Sequence, residues 1–160
     1  RDRLYHIKTK ENLFLNVVKK FIFEVKSISS MPKTPQSSLI LTLTHFIESC
    51  QKEKKEMAAS GIFNVNTAMM NITISAFFAL PKMREYAFNW LSQEKVVWMN
   101  ILEKAKELKE IRSDINVELF ASIFENVFLG SYLSGIVYTD GYKIEQLERE
   151  VMQIYQLIKA

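Results

Sequence analysis

Two histidines (His6, His45), one cysteine (Cys50) and only three aspartates (Asp2, Asp114, Asp140) leave this chain little of the usual material for acid–base, nucleophilic or metal chemistry. A hydrolytic triad needs a histidine beside a nucleophile and a carboxylate to orient it. His45 stands in Thr42-Leu43-Thr44-His45-Phe46 with no such motif around it. It reads either as a core-edge histidine with an ordinary hydrogen bond or as the polar anchor of a pocket. Cys50 falls on the inward side of the same segment and reads as a small buried apolar residue. A lone cysteine excludes a disulfide framework and a cysteine-based zinc site, and it fits a reducing compartment. There is no His-Glu-x-x-His, no glycine-rich phosphate loop and no nucleophile elbow. The expectation is a protein that is not an enzyme, with no catalytic residue, no metal and no cofactor.

What remains is the chemistry of recognition. The chain holds 11 Phe, 7 Met, 6 Tyr and 2 Trp in 160 residues, and many of them fall on three consecutive predicted helices. Polar groups such as His45, Asn66 and Asn71 are threaded among these apolar ones. A few polar groups in an aromatic wall is how small-molecule pockets are lined. The candidate pocket residues are His45, Met70, Asn71, Phe77, Trp98, Phe124 and Phe128, with plain core packing as the competing reading. A second departure from an ordinary bundle is a set of small residues, Gly130 and Ser134 one turn apart inside a predicted helix. Glycine there costs about 1 kcal/mol relative to alanine, a loss that close approach of another helix can offset. Leu147, Val151, Ile154 and Ile158 add an apolar stripe on the last predicted helix. Two such helices from each of two subunits would make a four-helix interface.

The elements that must position these residues are helical. An all-β sandwich needs turn residues every 8–12 positions or so, and four Gly with three Pro cannot supply them. From Thr9 the positions Leu13, Val17, Phe21, Val25 and Ile28 recur at helical spacing, with Thr9 as the expected N-cap. Thr34-Pro35 reads as N-cap and first helical residue, followed by Leu39, Leu43, Phe46, Ile47, Cys50 and Met57 inward. Residues 64–79 are apolar nearly all round, which predicts a helix enclosed by others. Pro81 opens the longest element, whose stripe runs through Met83, Trp90, Glu94, Trp98, Leu102 and Ala105. Asn116 caps a helix carrying Phe124 and Phe128, and Ile144 to Ile158 forms the last one. The prediction is an all-α bundle of about six helices. The longest apolar stretches, Leu39–Ile47 and Met69–Leu80, carry Thr, Ser, Asn or His and fall short of the roughly 20 residues that span a bilayer. No signal peptide is visible, so a cytoplasmic protein without a membrane role is expected. The net charge of +3 divides into +5 over residues 1–60, +1 over 61–110 and −3 over 111–160, so an anionic partner would be felt at the N-terminal end.

The segment Leu4-Tyr5-His6-Ile7-Lys8-Thr9-Lys10-Glu11-Asn12-Leu13-Phe14 resembles the junction that follows the recognition helix in the tetracycline-repressor family of bacterial transcription regulators. Leu-Lys-Glu-Ile-Arg-Ser-Asp-Ile-Asn, residues 108–116, followed by a helix with Gly130 near its middle, is similar to that family's link into its dimerisation helices. The resemblance covers the chain from a point inside the recognition helix onward, and it has one residue fewer between Tyr5 and Ile7 than the family pattern. It implies that residues 1–30 are the end of a DNA-binding domain with its connecting helix. Residues 31–160 would then be an effector-binding and dimerisation domain. Implied partners are operator DNA, a small and largely apolar or aromatic effector, and a second copy of the chain. Tyr5, His6, Thr9 and Lys10 would lie along the DNA backbone, where a helix starting after Thr9 would offer its free N–H groups to a phosphate. The alternative is a stand-alone helical interaction or lipid-binding bundle with no DNA role.

Overall fold

The protein is an all-α bundle of six helices among the residues described. The computed structural model describes the backbone of residues 2–20, 28 and 38–160, and the side chains of residues 10–20, 28 and 38–160. Helix α1 spans Asp2–Val18, α2 Leu39–Ala59, α3 Val65–Ala79, α4 Met83–Glu107, α5 Val117–Ser134 and α6 Ile144–Ile158. A 3-10 turn, Gly135–Val137, extends α5.

Three polar side chains start helices by accepting a first-turn N–H: Ser38 from Leu41, Asn64 from Thr67 and Asn116 from Leu119. Asn116 is the cap expected from the sequence, while the start of α2 differs from the expected one. Its cap is Ser38, and Thr34 and Pro35 lie outside the described residues, as do the stripe positions Phe21 and Val25. Pro81 sits in a turn two residues before α4 begins at Met83. The N-cap expected at Thr9 is not formed. Helix α1 runs unbroken through that position, so the amides after Thr9 lie inside a helix and offer no free terminus.

The main core joins five helices. Leu39, Leu43, Phe46, Ile47 and Cys50 of α2 meet Trp98, Leu102 and Ala105 of α4, Ala121 and Phe124 of α5, and Leu147, Val151 and Ile158 of α6. Val65 and Met69 bring the start of α3 into the same cluster. A second, smaller cluster joins Val18 of α1 to Ala76, Leu80 and Met83. Helix α3 buries only one side, through Val65, Asn66, Met69 and Ala76. Ile74, Phe77 and Phe78 are exposed. The expectation of an enclosed α3 fails because an all-round apolar composition does not say how many neighbours a helix has.

Two polar clasps hold the helices in register. Glu110 lies just past Lys109, which takes a left-handed φ of 57° at the end of α4. Its carboxylate accepts from the N–H groups of Leu39 (2.6 Å) and Ile40 (2.9 Å), and so closes the N-terminus of α2. The same link binds the chain's last residues, with Arg112 N–H donating to the Ile158 carbonyl and Ala160 N–H to the Glu110 carbonyl. At the other end of the molecule, buried Asn66 donates to the Tyr132 carbonyl (2.8 Å) and accepts from Tyr142 N–H (2.9 Å). Asn64 Nδ2 donates to the Gly135 and Tyr138 carbonyls. Together these pin the α5–α6 connection onto α3. Gly135 and Gly141 permit that approach: a Cβ on Gly135 would stand 2.5 Å from Tyr142 N, and one on Gly141 2.5 Å from Asn66 Oδ1.

Candidate functional site

Four aromatic side chains fill the space between α2, α4 and α5. Trp98 stacks on Phe124 with centroids 5.0 Å apart and planes 10° from parallel, and meets Phe46 edge-on at 6.0 Å. Phe46 in turn meets Phe128 edge-on at 5.2 Å, and the chain of rings continues through Tyr132 to Tyr142. Pairs of this kind are worth about 0.5–1.5 kcal/mol each beyond the area they bury. The helical spacing predicted from the sequence delivers them: Trp98 lies on the inner stripe of α4, and Phe124 and Phe128 are one turn apart on α5.

Beside these rings is a cavity of about 10 Å³, room for one water, walled by Phe46, Trp90, Glu94, Trp98, Glu125 and Phe128 together with Ile28 and Leu129. Glu94 is 5% exposed, a carboxylate on the otherwise apolar stripe of α4. Glu125 is half-buried on α5, and its Oε1 is fully enclosed without a hydrogen-bond partner. Burial holds the Glu125 carboxyl above the usual carboxylate range, the nearby Glu94 charge raises it further, and Lys95 pulls the other way. Lys95 itself sits 2.9 Å from Glu118 at the surface.

Three of the seven candidate pocket residues are therefore together: Trp98, Phe124 and Phe128. The other four are not. His45 is exposed on the outer side of α2, Asn71 and Phe77 are exposed on α3, and Met70 is half-buried there. His45 falls on the side of α2 away from the core, and α3 meets the main core only through its first two turns, so its later residues never reach the space between α4 and α5. Trp90, Glu94 and Glu125 take their place. Glu94 was legible as a charge on an apolar stripe; Glu125 carried no such signal, because its neighbours on α5 are mixed.

The dimer candidates also divide. Gly130 and Ser134 are exposed, and a Cβ added at Gly130 would meet nothing within 4 Å. Leu147, Val151 and Ile158 belong instead to the chain's own core, and Ile154 is half-buried at its edge. The strongest apolar stripe of α6 is consumed within the chain, which spacing alone could not decide. The open surface is on α5. Leu119, Ile123, Asn126, Gly130, Leu133 and Val137 follow one another at intervals of four and three residues, the a/d spacing of a helix-on-helix seam. Leu119 is 55%, Leu133 57% and Val137 80% exposed. Glu150 of α6 lies beside this seam, its Oε2 3.4 Å from Ser131 Oγ, and Ile154 and Leu157 share its side of that helix.

Val117–Val137 is, among the described residues, the one helical stretch long and apolar enough to cross a membrane by length and composition. Glu118, Glu125 and Asn126 interrupt it, so its apolar length does not show as a continuous run in the sequence. Of the four residues expected along DNA, Lys10 is exposed on α1, and the side chains of Tyr5, His6 and Thr9 lie outside the described residues. Among the described residues no three His, Cys, Asp or Glu side chains converge as a metal site. No protein-family model, no curated protein and no solved structure matches the chain.

Proposed function

We propose that this chain is the effector-binding and dimerisation part of a bacterial transcriptional regulator of the tetracycline-repressor type. In this reading two copies join through α5 and the adjoining edge of α6, and a small molecule enters between α4 and α5. Its binding shifts the population of bundle states that set the spacing of two DNA-binding heads. The observation that carries the reading is the seam on α5, a row at 3.5-residue spacing in which Leu119, Leu133 and Val137 are exposed and Ile123 half-buried, broken by Asn126 and with glycine near its centre. A water-facing helix has no use for such a row, whereas a second copy of the same helix covers it and approaches closely at Gly130. The resemblance in residues 4–14 and 108–116 and the basic N-terminal third support the DNA role.

The second reading, a helical module that presents α5 to a lipid or to a different protein, draws on the same apolar length of Val117–Val137. Native mass spectrometry of the purified 160-residue chain separates them. A dimer, with or without a co-purified small molecule, is the expected result. A monomer that binds lipid instead would replace the regulator with the second reading.

A further inference from the structure

The seam on α5 is nearly symmetric about its own middle. Leu119 and Val137 each lie nine residues from Phe128, Ile123 and Leu133 five, and Asn126 and Gly130 two. The outer four are branched apolar residues, with Leu119, Leu133 and Val137 exposed and Ile123 half-buried. The inner two are an amide and a gap: Asn126 is exposed, and a Cβ added at Gly130 would meet no described residue within 4 Å. A two-fold axis makes residue i touch residue j while j touches i. Two α5 helices running antiparallel about the level of Phe128 therefore set Leu119 against the partner's Val137 and Ile123 against the partner's Leu133. Asn126 then falls against the partner's Gly130, so the amide fills the gap left by the missing side chain. Parallel helices pair each residue with itself. Gly130 would face glycine one turn from two opposed Leu133 side chains that hold the helices apart, and the void between them would lose its contacts.

Charge favours the same direction. Helix α5 carries two charged residues, Glu118 and Glu125, both acidic and both before Phe128, and its last turn has no basic residue. Just past its other end Lys143 sits 5.1 Å over the Tyr138 ring. The side chains of Glu118 and Lys143 remain 69% and 40% exposed beside their surface contacts to Lys95 and Asp140. An antiparallel pair brings each Glu118 end to the partner's Tyr138 and Lys143 end. A parallel pair sets two acidic ends, and two like helix dipoles, side by side. We infer that the dimer is built on an antiparallel, two-fold pairing of α5 with α5 of a second copy, centred at Phe128, in which Asn126 of each copy enters the other's notch at Gly130. The inference rests on the dimer proposed above and adds its direction and register.

In that register Leu119 of one copy lies beside the partner's Val137, while the two Leu119 residues stand about 27 Å apart along the helices. A disulfide needs Cβ atoms about 4 Å apart. Leu119→Cys and Val137→Cys each replace an exposed side chain, and native Cys50, 1% exposed, does not compete. The two variants are prepared separately, then oxidised with copper–phenanthroline alone and as a mixture. The expected result is a disulfide-linked dimer that forms at least about ten-fold faster in the mixture than with either variant alone. A Leu119→Cys chain that cross-links to itself as fast as to Val137→Cys overturns the inference. So does a mixture that yields no more linked dimer than the separate variants. Sedimentation of the same samples before oxidation separates the two levels. A dimer with the wrong cross-link overturns this inference alone and leaves the dimeric regulator standing; monomers overturn both.

Discussion

Cys50 is 1% exposed on the inner side of α2 and hydrogen-bonds to the hydroxyl of Tyr142 across the core. Burial pushes its thiol from 9.0 up to about 11, opposed by the Tyr142 hydrogen bond and aided by the Glu53 charge. Tyr142 and Tyr132 are likewise raised above the ordinary tyrosine value, chiefly by burial. A group whose folded pKa is raised stabilises the fold fully below its unfolded pKa and loses that contribution as pH climbs through the folded value. The chain should accordingly hold its stability up to about pH 9 and lose it progressively toward pH 11. Cys50 alone accounts for about 3 kcal/mol of that loss, and the tyrosines add to it. Chemical denaturation followed across this range checks the slope. A thiol reagent at pH 8 should label Cys50 at the rate of unfolding, and the conservative variant Cys50→Ala should lose part of the alkaline sensitivity.

At the scale of elements, the two clasps carry the clearest consequences. Glu110→Ala removes both acceptors from the first amides of α2 and should cost about 1.5–3 kcal/mol, the range for hydrogen bonds to a charged group. Thermal unfolding would show this as a lowered midpoint. Asn66→Ala leaves the Tyr132 carbonyl and the Tyr142 N–H unpaired in the interior, a loss of about 2–5 kcal/mol for the two together. Asn66→Asp should be worse than alanine at neutral pH, because it sets a buried carboxylate against the Tyr132 carbonyl. The gap between the two variants should narrow as pH falls and the carboxyl protonates. Neither clasp was legible from spacing. Asn66 read as a polar group inside a pocket wall, since a sequence shows that a buried position is polar but not which distant loop it grips. Glu110 read as part of a polar link for the same reason: its partners are about 70 residues away. The helices themselves were legible, with inner stripes on α2 and α4 matching the buried residues, because a 3.6-residue period is a local property. Which of two apolar stripes faces the chain's own core is not local, and Leu147, Val151 and Ile158 show it.

The whole molecule is asymmetric in what it hides. The interior uses up α6's best stripe and most of α2 and α4, yet α5 and the 3-10 turn that extends it leave Leu119, Leu133 and Val137 exposed and Ile123 half-buried, with a gap at Gly130 that no described residue fills. That asymmetry is the physical content of the regulator reading. In that reading α5 is at once a wall of the cavity, through Glu125 and Phe128, and the surface that a second copy would cover. In that reading a ligand that moves the inner side of α5 also moves its outer side, so effector binding should alter the dissociation constant of the dimer. By linkage, dimerisation should alter effector affinity by the same factor.

Sedimentation velocity on the native chain and on Gly130→Arg tests this most directly. Because a Cβ at Gly130 meets no described residue within 4 Å, the variant should fold as the native protein does, with the same helical circular dichroism. The native chain should sediment as a dimer of 18.7 kDa subunits, and Gly130→Arg as a monomer. A native chain that remains monomeric at tens of micromolar, or a variant that dimerises as well as the native protein, would contradict the account.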